Sequence, residues 1–255
     1  MIRLFQFLAL IYLAFSGSAH AINLRSSAQA GNLMRFNPHN PALPGFSIEL
    51  IRLLQADPQL HITGQDSMRS LRRLESDLEQ GRIDMVVGLA DSASRQRRFI
   101  VISRPLLYMQ QAAVAVRRED ALFQLPENKL SGLGQNGVIA IIQGSAYGTH
   151  LSNPAPLQMD DGAISLAANL GKLVRHRVRF VLHAKEELDW HIKQLQLQQR
   201  VRVIPLHGMQ TGVHLMLSRK LPSSTIRYLQ AALQKLEDSG NLHALRVKYG
   251  LNPAS

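Results

Sequence analysis

Apolar residues in this chain fall into short runs that alternate with amphipathic stretches. Ile83 to Leu89 is a nearly continuous apolar run, the pattern of a strand buried on both faces of a parallel sheet. Before it, Met68, Leu71, Leu74 and Leu78 recur at spacings of three, three and four and share one helical face. Gly81 lies between the two, where glycine stops a helix without a Cβ penalty. The alternation starts at Ile22 to Ser27, a predicted first strand. A helix over Ile48 to Leu54 follows the turn-rich loop Phe36 to Pro44, and it ends at Asp57-Pro58 because proline pushes the preceding residue out of the α region. Leu60 to Thr63 and Ala112 to Val116 predict further strands.

After a loop rich in Pro, Asn, Ser and Gly (124–136), the pattern begins again. Strands are predicted at Val138 to Ile142, Val178 to Leu182, Val201 to Ile204 and Val213 to Leu217. Ser145 caps a helix after the first of these. Asp160-Asp161 precede a helix over Ile164 to Val174, and Leu188 to Leu197 forms another. The last helix has Pro222 in its first turn, Ile226, Leu229, Leu233 and Leu236 on one face, and Gly240 as a stop. Strands that alternate with helices imply an α/β fold.

Chemistry concentrates behind the Ile83 strand. There the polar turn Ala90-Asp91-Ser92-Ala93-Ser94 leads to Arg95, Arg97 and Arg98. Hydroxyls, free N–H groups and a guanidinium at the carboxyl end of a strand suit an anionic small molecule, and open α/β sheets place ligands there. A solvated surface loop fits the same residues equally well.

The first residues add an address. Arg3, the apolar Leu4 to Phe15 and the small residues ending at Ala21 have the layout of a secretory leader cleaved after Ala21. The apolar run falls short of the ~20 residues that span a bilayer, and no later segment is long and apolar enough either. A periplasmic, non-embedded protein is expected. With no cysteine the chain lacks thiol chemistry, and its core must suffice without disulfides. The net charge of +11 suits anionic partners, but the basic residues are scattered and aromatics are few, so nucleic acid is not an expected partner. The histidines show no metal-ligand spacing, and no cofactor motif is present.

Several short motifs occur in a telling order. Gly45-Phe46-Ser47-Ile48-Glu49-Leu50, Leu78-Glu79-Gln80-Gly81-Arg82-Ile83-Asp84 and Ser92-Ala93-Ser94-Arg95 are followed by Ser103, Pro105 and Tyr108. Gln143-Gly144-Ser145-Ala146-Tyr147 and Leu236-Glu237-Asp238-Ser239-Gly240 complete the series. Together they resemble the family 3 extracellular solute-binding proteins over nearly the whole mature chain. The resemblance implies the two-lobed type II periplasmic-binding-protein fold, each lobe a mostly parallel sheet flanked by helices. It divides the chain into a leader (1–21), a first lobe (22–115 and 211–255) and a second lobe (116–210), with the ligand cleft between them.

It also implies roles. Arg95 would pair with a ligand carboxylate, for which a bidentate guanidinium is suited. Ser92 and the backbone of Gly88, Leu89 and Ala90 would add hydrogen bonds. Ser145 and the N–H groups of Ala146 and Tyr147 would meet the same anion from the other lobe, and Phe36 would lie against the ligand. An extra residue between Arg95 and Ser103 leaves Arg97 as an alternative to Arg95. The acid that usually receives an ammonium group falls at Ala184, so Glu186 or Glu187 substitutes for it, or the ligand is no ordinary α-amino acid. The expected function is capture of a small polar or anionic solute by a monomer that serves a membrane permease or sensor. The alternative is a dehydratase-like enzyme on the same fold, with His150, Asp160 or Glu186 as its acid.

Overall fold

The aliphatic runs too short to persist as helices become strands, and the periodic stretches between them become the covering helices. A computed structural model describes residues 21–121, 137–148 and 158–251. Residues 1–20 of the proposed leader, the 124–136 loop and His150 lie outside the described residues.

The first part of the chain comprises β1 (Ile22–Arg25), β2 (Ala28–Gln29), α1 (Phe46–Leu54), β3 (Leu60–Thr63), β4 (Met68–Arg69) and α2 (Leu71–Glu79). β5 (Met85–Ala90), α3 (Ala93–Arg98), β6 (Ile100–Ile102) and β7 (Tyr108–Arg117) follow. The second part holds β8 (Val138–Ile142), β9 (Gln158–Ala163), α4 (Leu166–Val174), β10 (Phe180–Ala184) and α5 (Lys185–Gln194). β11 (Val201–Leu217), α6 (Ser223–Asp238) and α7 (Asn241–Lys248) complete it.

Among the described residues a seven-stranded sheet runs β5-β11-β7-β10-β8-β9, with β6 also paired to β11. β10 with β8 and β8 with β9 are parallel. β11 is antiparallel to both β5 and β7. β1 pairs with β3, and β2 with β4, in separate parallel pieces.

The cores divide the molecule into two lobes. Leu50, Ile51 and Leu54 of α1 meet Met85, Val87, Leu229, Leu233, Leu242 and Leu245 in the first. In the second, Ala112, Val114 and Val116 on one face of β7 pack with Ile139, Phe180 and Leu182. Ala113 and Ala115 on the other face pack with Leu166, Leu170, Leu173 and Leu188. Burial on both faces explains why this strand lacks polar alternation.

Two strands carry the chain between the lobes. Tyr108 at the start of β7 is in the first core and Val114 in the second. In β11, Ile204 belongs to the second core and Leu215 to the first.

The sequence divides β11 into two strands, whereas the structure keeps it as one of 17 residues. Pro205 lacks an N–H donor and Gly208 has φ +74°. These features shift the register between Pro205 and Gln210 without ending the strand. β9 at Gln158–Ala163 was not foreseen, because its polar, mostly exposed residues carry no strand pattern. The predicted polar turn also becomes α3, capped by Ser92.

Candidate functional site

The turn after β2 delivers Asn32 and Arg35 to the space between the lobes. Its exit is fixed where α1 begins. Phe46 N donates to Met34 O and Ser47 N to Arg35 O, both at 3.0 Å. Gly45 (φ +106°) allows this approach, since a Cβ there would stand 2.2 Å from Arg35 O. The carboxyl end of β5 supplies Leu89 and Ala90, and the start of β7 supplies Gln110. From the second lobe come Ser145, Ala146 and Tyr147 after β8, His183 at the end of β10 and Glu187 on the first turn of α5.

All of the residues so supplied except Glu187 line one cavity of about 60 Å³. Leu89, Ala90, Arg95, Ser145, Ala146 and Tyr147 all line it, so the structure brings together residues selected from both halves of the sequence. Arg95 is buried, whereas Arg97 is exposed. The Arg95 guanidinium donates to Ala90 O at 2.7 Å and, through Nε and Nη2, to Glu75 Oε1 at 3.0 and 2.7 Å. Glu75 also accepts from Arg98 at 2.6 Å. Ser92 caps α3, accepting from Arg95 N at 3.2 Å. Ser145 Oγ accepts from Tyr147 N at 3.3 Å.

The other selected residues lie elsewhere. Phe36 packs with Ala28 and Ile48 in a small core and does not line the cavity. Glu186 lines a separate pocket of about 430 Å³ with Gln111, Trp190 and Tyr249. Burial lifts its carboxyl above the usual range. Gly88 lies beneath the cavity, and its carbonyl accepts from Arg35 Nη1.

Sequence reasoning missed Arg35 and left Glu187 undecided beside Glu186. Arg35 and Glu187, with side chains 6% and 1% exposed, form an ion pair through Nη2 and Oε1. Asn32 Nδ2 donates to Glu187 Oε2 at 3.0 Å, and Arg35 Nη2 donates to Gln110 Oε1 at 3.1 Å. Gln110 Nε2 donates to Tyr147 OH at 3.3 Å. Burial alone would raise the Glu187 carboxyl, but Arg35, His183, His191 and Asn32 outweigh it and hold the group below its usual value. Burial also pushes the His183 imidazole down. His183 Nδ1 accepts from Ala184 N at 2.8 Å, which places the neutral ring's proton on Nε2. Burial lifts the Tyr147 hydroxyl well above its usual value. Asp91 also lines the cavity, and its buried Oδ1 has no hydrogen-bond partner among the described residues.

One signal pointed towards this pair. The missing acid at Ala184 put Glu186 and Glu187 in question, and they diverge by about 100° on a helix. The start of α5 decides which of them faces the cleft. Nothing in the sequence marks Arg35, because its place depends on the Gly45 approach.

Among the described residues no group of three His, Cys, Asp or Glu side chains is arranged to hold a metal ion. No helix among them is long and apolar enough to cross a membrane.

The model of the bacterial extracellular solute-binding proteins, family 3, matches residues 29–252. Comparison with curated proteins gave no match. The substrate-binding protein of an amino acid ABC transporter is 15% identical, with 89% of this chain and 99% of that one covered at a TM-score of 0.73. The GluR0 ligand-binding core from Nostoc punctiforme, in complex with L-glutamate, is 16% identical, with 89% and 98% covered at 0.73. A histidine kinase sensor domain similar to periplasmic binding proteins is 16% identical, with 92% and 99% covered at 0.75. At these identities the likenesses show the fold, two lobes about a cleft.

Proposed function

The chain belongs to the bacterial extracellular solute-binding proteins, family 3, and on that premise we propose that it captures a small, polar, amino-acid-like solute between its lobes. One observation carries this reading. Arg95 and Ala90 of the first lobe share a single cavity with Ser145, Ala146 and Tyr147 of the second. An anionic end of the solute meets Arg95, whose planar fork suits a carboxylate, and the polar turn from Ser145 to Tyr147. The protein is exported through the leader 1–21, acts in the periplasm as a monomer and hands the closed form to a membrane permease or sensor. Likeness to both a transporter's binding protein and a kinase sensor domain supports either partner.

The test is a thermal-shift screen of amino acids, organic acids and polyamines. A solute at 100 times its Kd stabilises the native state by about 2.7 kcal/mol. For a chain of this size that raises Tm by about 5–10 °C. Arg95→Ala should fold, because Arg98 still pairs with Glu75, yet lose most of the shift. An undiminished shift in that variant removes Arg95 from the site.

A further inference from the structure

Both faces of the cleft meet on one side chain. Arg35 leaves the first lobe, passes over Gly88 and ends on Glu187 of the second. Its guanidinium donates to Gly88 O, on β5, and to Gln110 Oε1, on a crossing strand. Its ion pair with Glu187 joins residues 152 positions apart in sequence. Gly88 permits the crossing, since a Cβ there would lie 3.2 Å from Arg35 Cδ. The cavity left beside this side chain, about 60 Å³, is far below the ~300 Å³ at which ordinary ligand pockets begin. Arg35 covers Glu187, whose side chain is 1% exposed, so a solute's cation reaches that carboxylate only once Arg35 moves.

We propose that Arg35 is a built-in occupant of the cleft. Its guanidinium takes the position of a solute's cationic group on Glu187, latches the two lobes together, and must be displaced for a solute to enter. What it gives up on leaving is a set of acceptors: the Glu187 carboxylate, the Gly88 carbonyl and Gln110 Oε1. Nearby, Asp91 Oδ1 offers another acceptor, with no partner among the described residues. That set matches an ammonium or a guanidinium. A solute that wins the site therefore carries a cation for Glu187 as well as a polar or anionic end for Arg95. Arg35 thus decides specificity, since solutes without a cation leave the latch shut. The inference rests on the solute-capture reading of the same cleft, but its test needs no natural solute.

The chain has no cysteine, so Asp66→Cys and Asp161→Cys, both at exposed positions on opposite lobes, take a pair of spin labels for distance measurement. With the native Arg35 the short, closed distance should dominate in buffer alone. In an Arg35→Met background it should lengthen, and millimolar methylguanidinium should restore it by filling the vacated acceptors. In a Glu187→Gln background the distance should lengthen without rescue by methylguanidinium. Circular dichroism checks that each protein is folded. If Arg35→Met does not fold, Glu187→Gln tests the latch from the other lobe.

A long distance with Arg35 intact overturns the proposal, and so does a short one in the Arg35→Met or Glu187→Gln background. Lengthening without methylguanidinium rescue leaves Arg35 a structural cation only and overturns its role as solute stand-in. The thermal-shift screen separates the two ideas. A stabilising solute found together with an unlatched cleft keeps solute capture and discards the latch. A latched cleft with no stabilising solute does the reverse.

Discussion

His183 and Glu187 are each surrounded by groups that fix their charge. Burial keeps His183 neutral, with Arg35 and His191 adding to the effect and Glu187 opposing it. Glu187 stays ionised against its own burial because Arg35, His183, His191 and Asn32 face it. Both folded values lie below the ordinary ones of 6.5 and 4.5. On acidification the unfolded chain therefore takes up these protons before the folded protein does. The stabilisation is complete above the ordinary values and is lost as pH falls through them towards the folded values. Tm should hold near pH 7–8, decline as pH passes below about 6.5, and decline again below about 4.5. Replacing His183 with Gln should flatten the upper decline in a series of melts across pH, and an unchanged profile would separate His183 from it.

Among the secondary-structure elements, helices with a single apolar stripe were legible and strands without one were not. The stripe Ile226, Leu229, Leu233 and Leu236 announces α6, and the structure buries Leu229 and Leu233 completely. Leu233→Ala should cost about 2–5 kcal/mol in urea unfolding, the range for a leucine removed from a packed core. The sequence pattern starts α4 two residues early because Ile164 looks like part of its apolar face. Instead, Ser165 accepts from Ala168 N at 3.2 Å and sets the cap, leaving Ile164 half exposed. Ser165→Ala should cost about 1 kcal/mol, the usual worth of such a cap. β9 stays hidden because Gln158, Met159 and Asp160 gain their ladder from β8, a non-local partner that composition cannot reveal.

For the molecule as a whole, two lobes were legible because a second α/β pattern restarts after the 124–136 loop. The line along which they meet was not. There Gly31 (φ +78°) lies so close to the second lobe that an added Cβ would come within 2.4 Å of Ser165 Cβ. Gly31→Val should wedge the lobes apart and weaken solute binding by tenfold or more, about 1.4 kcal/mol, in titration calorimetry. A glycine among turn residues gives no hint of a neighbour 134 positions away. The two crossing strands have a consequence of their own. β7 and β11 are hydrogen-bonded to each other in both lobes, and the ladder lapses only between Pro205 and Gln210, opposite Ala112. The halves are thus one woven sheet with a single crease, free to fold along that line but unable to come undone separately. Heating should then give one endotherm with matching calorimetric and van't Hoff enthalpies, and two resolved peaks would mean that the crease is a seam.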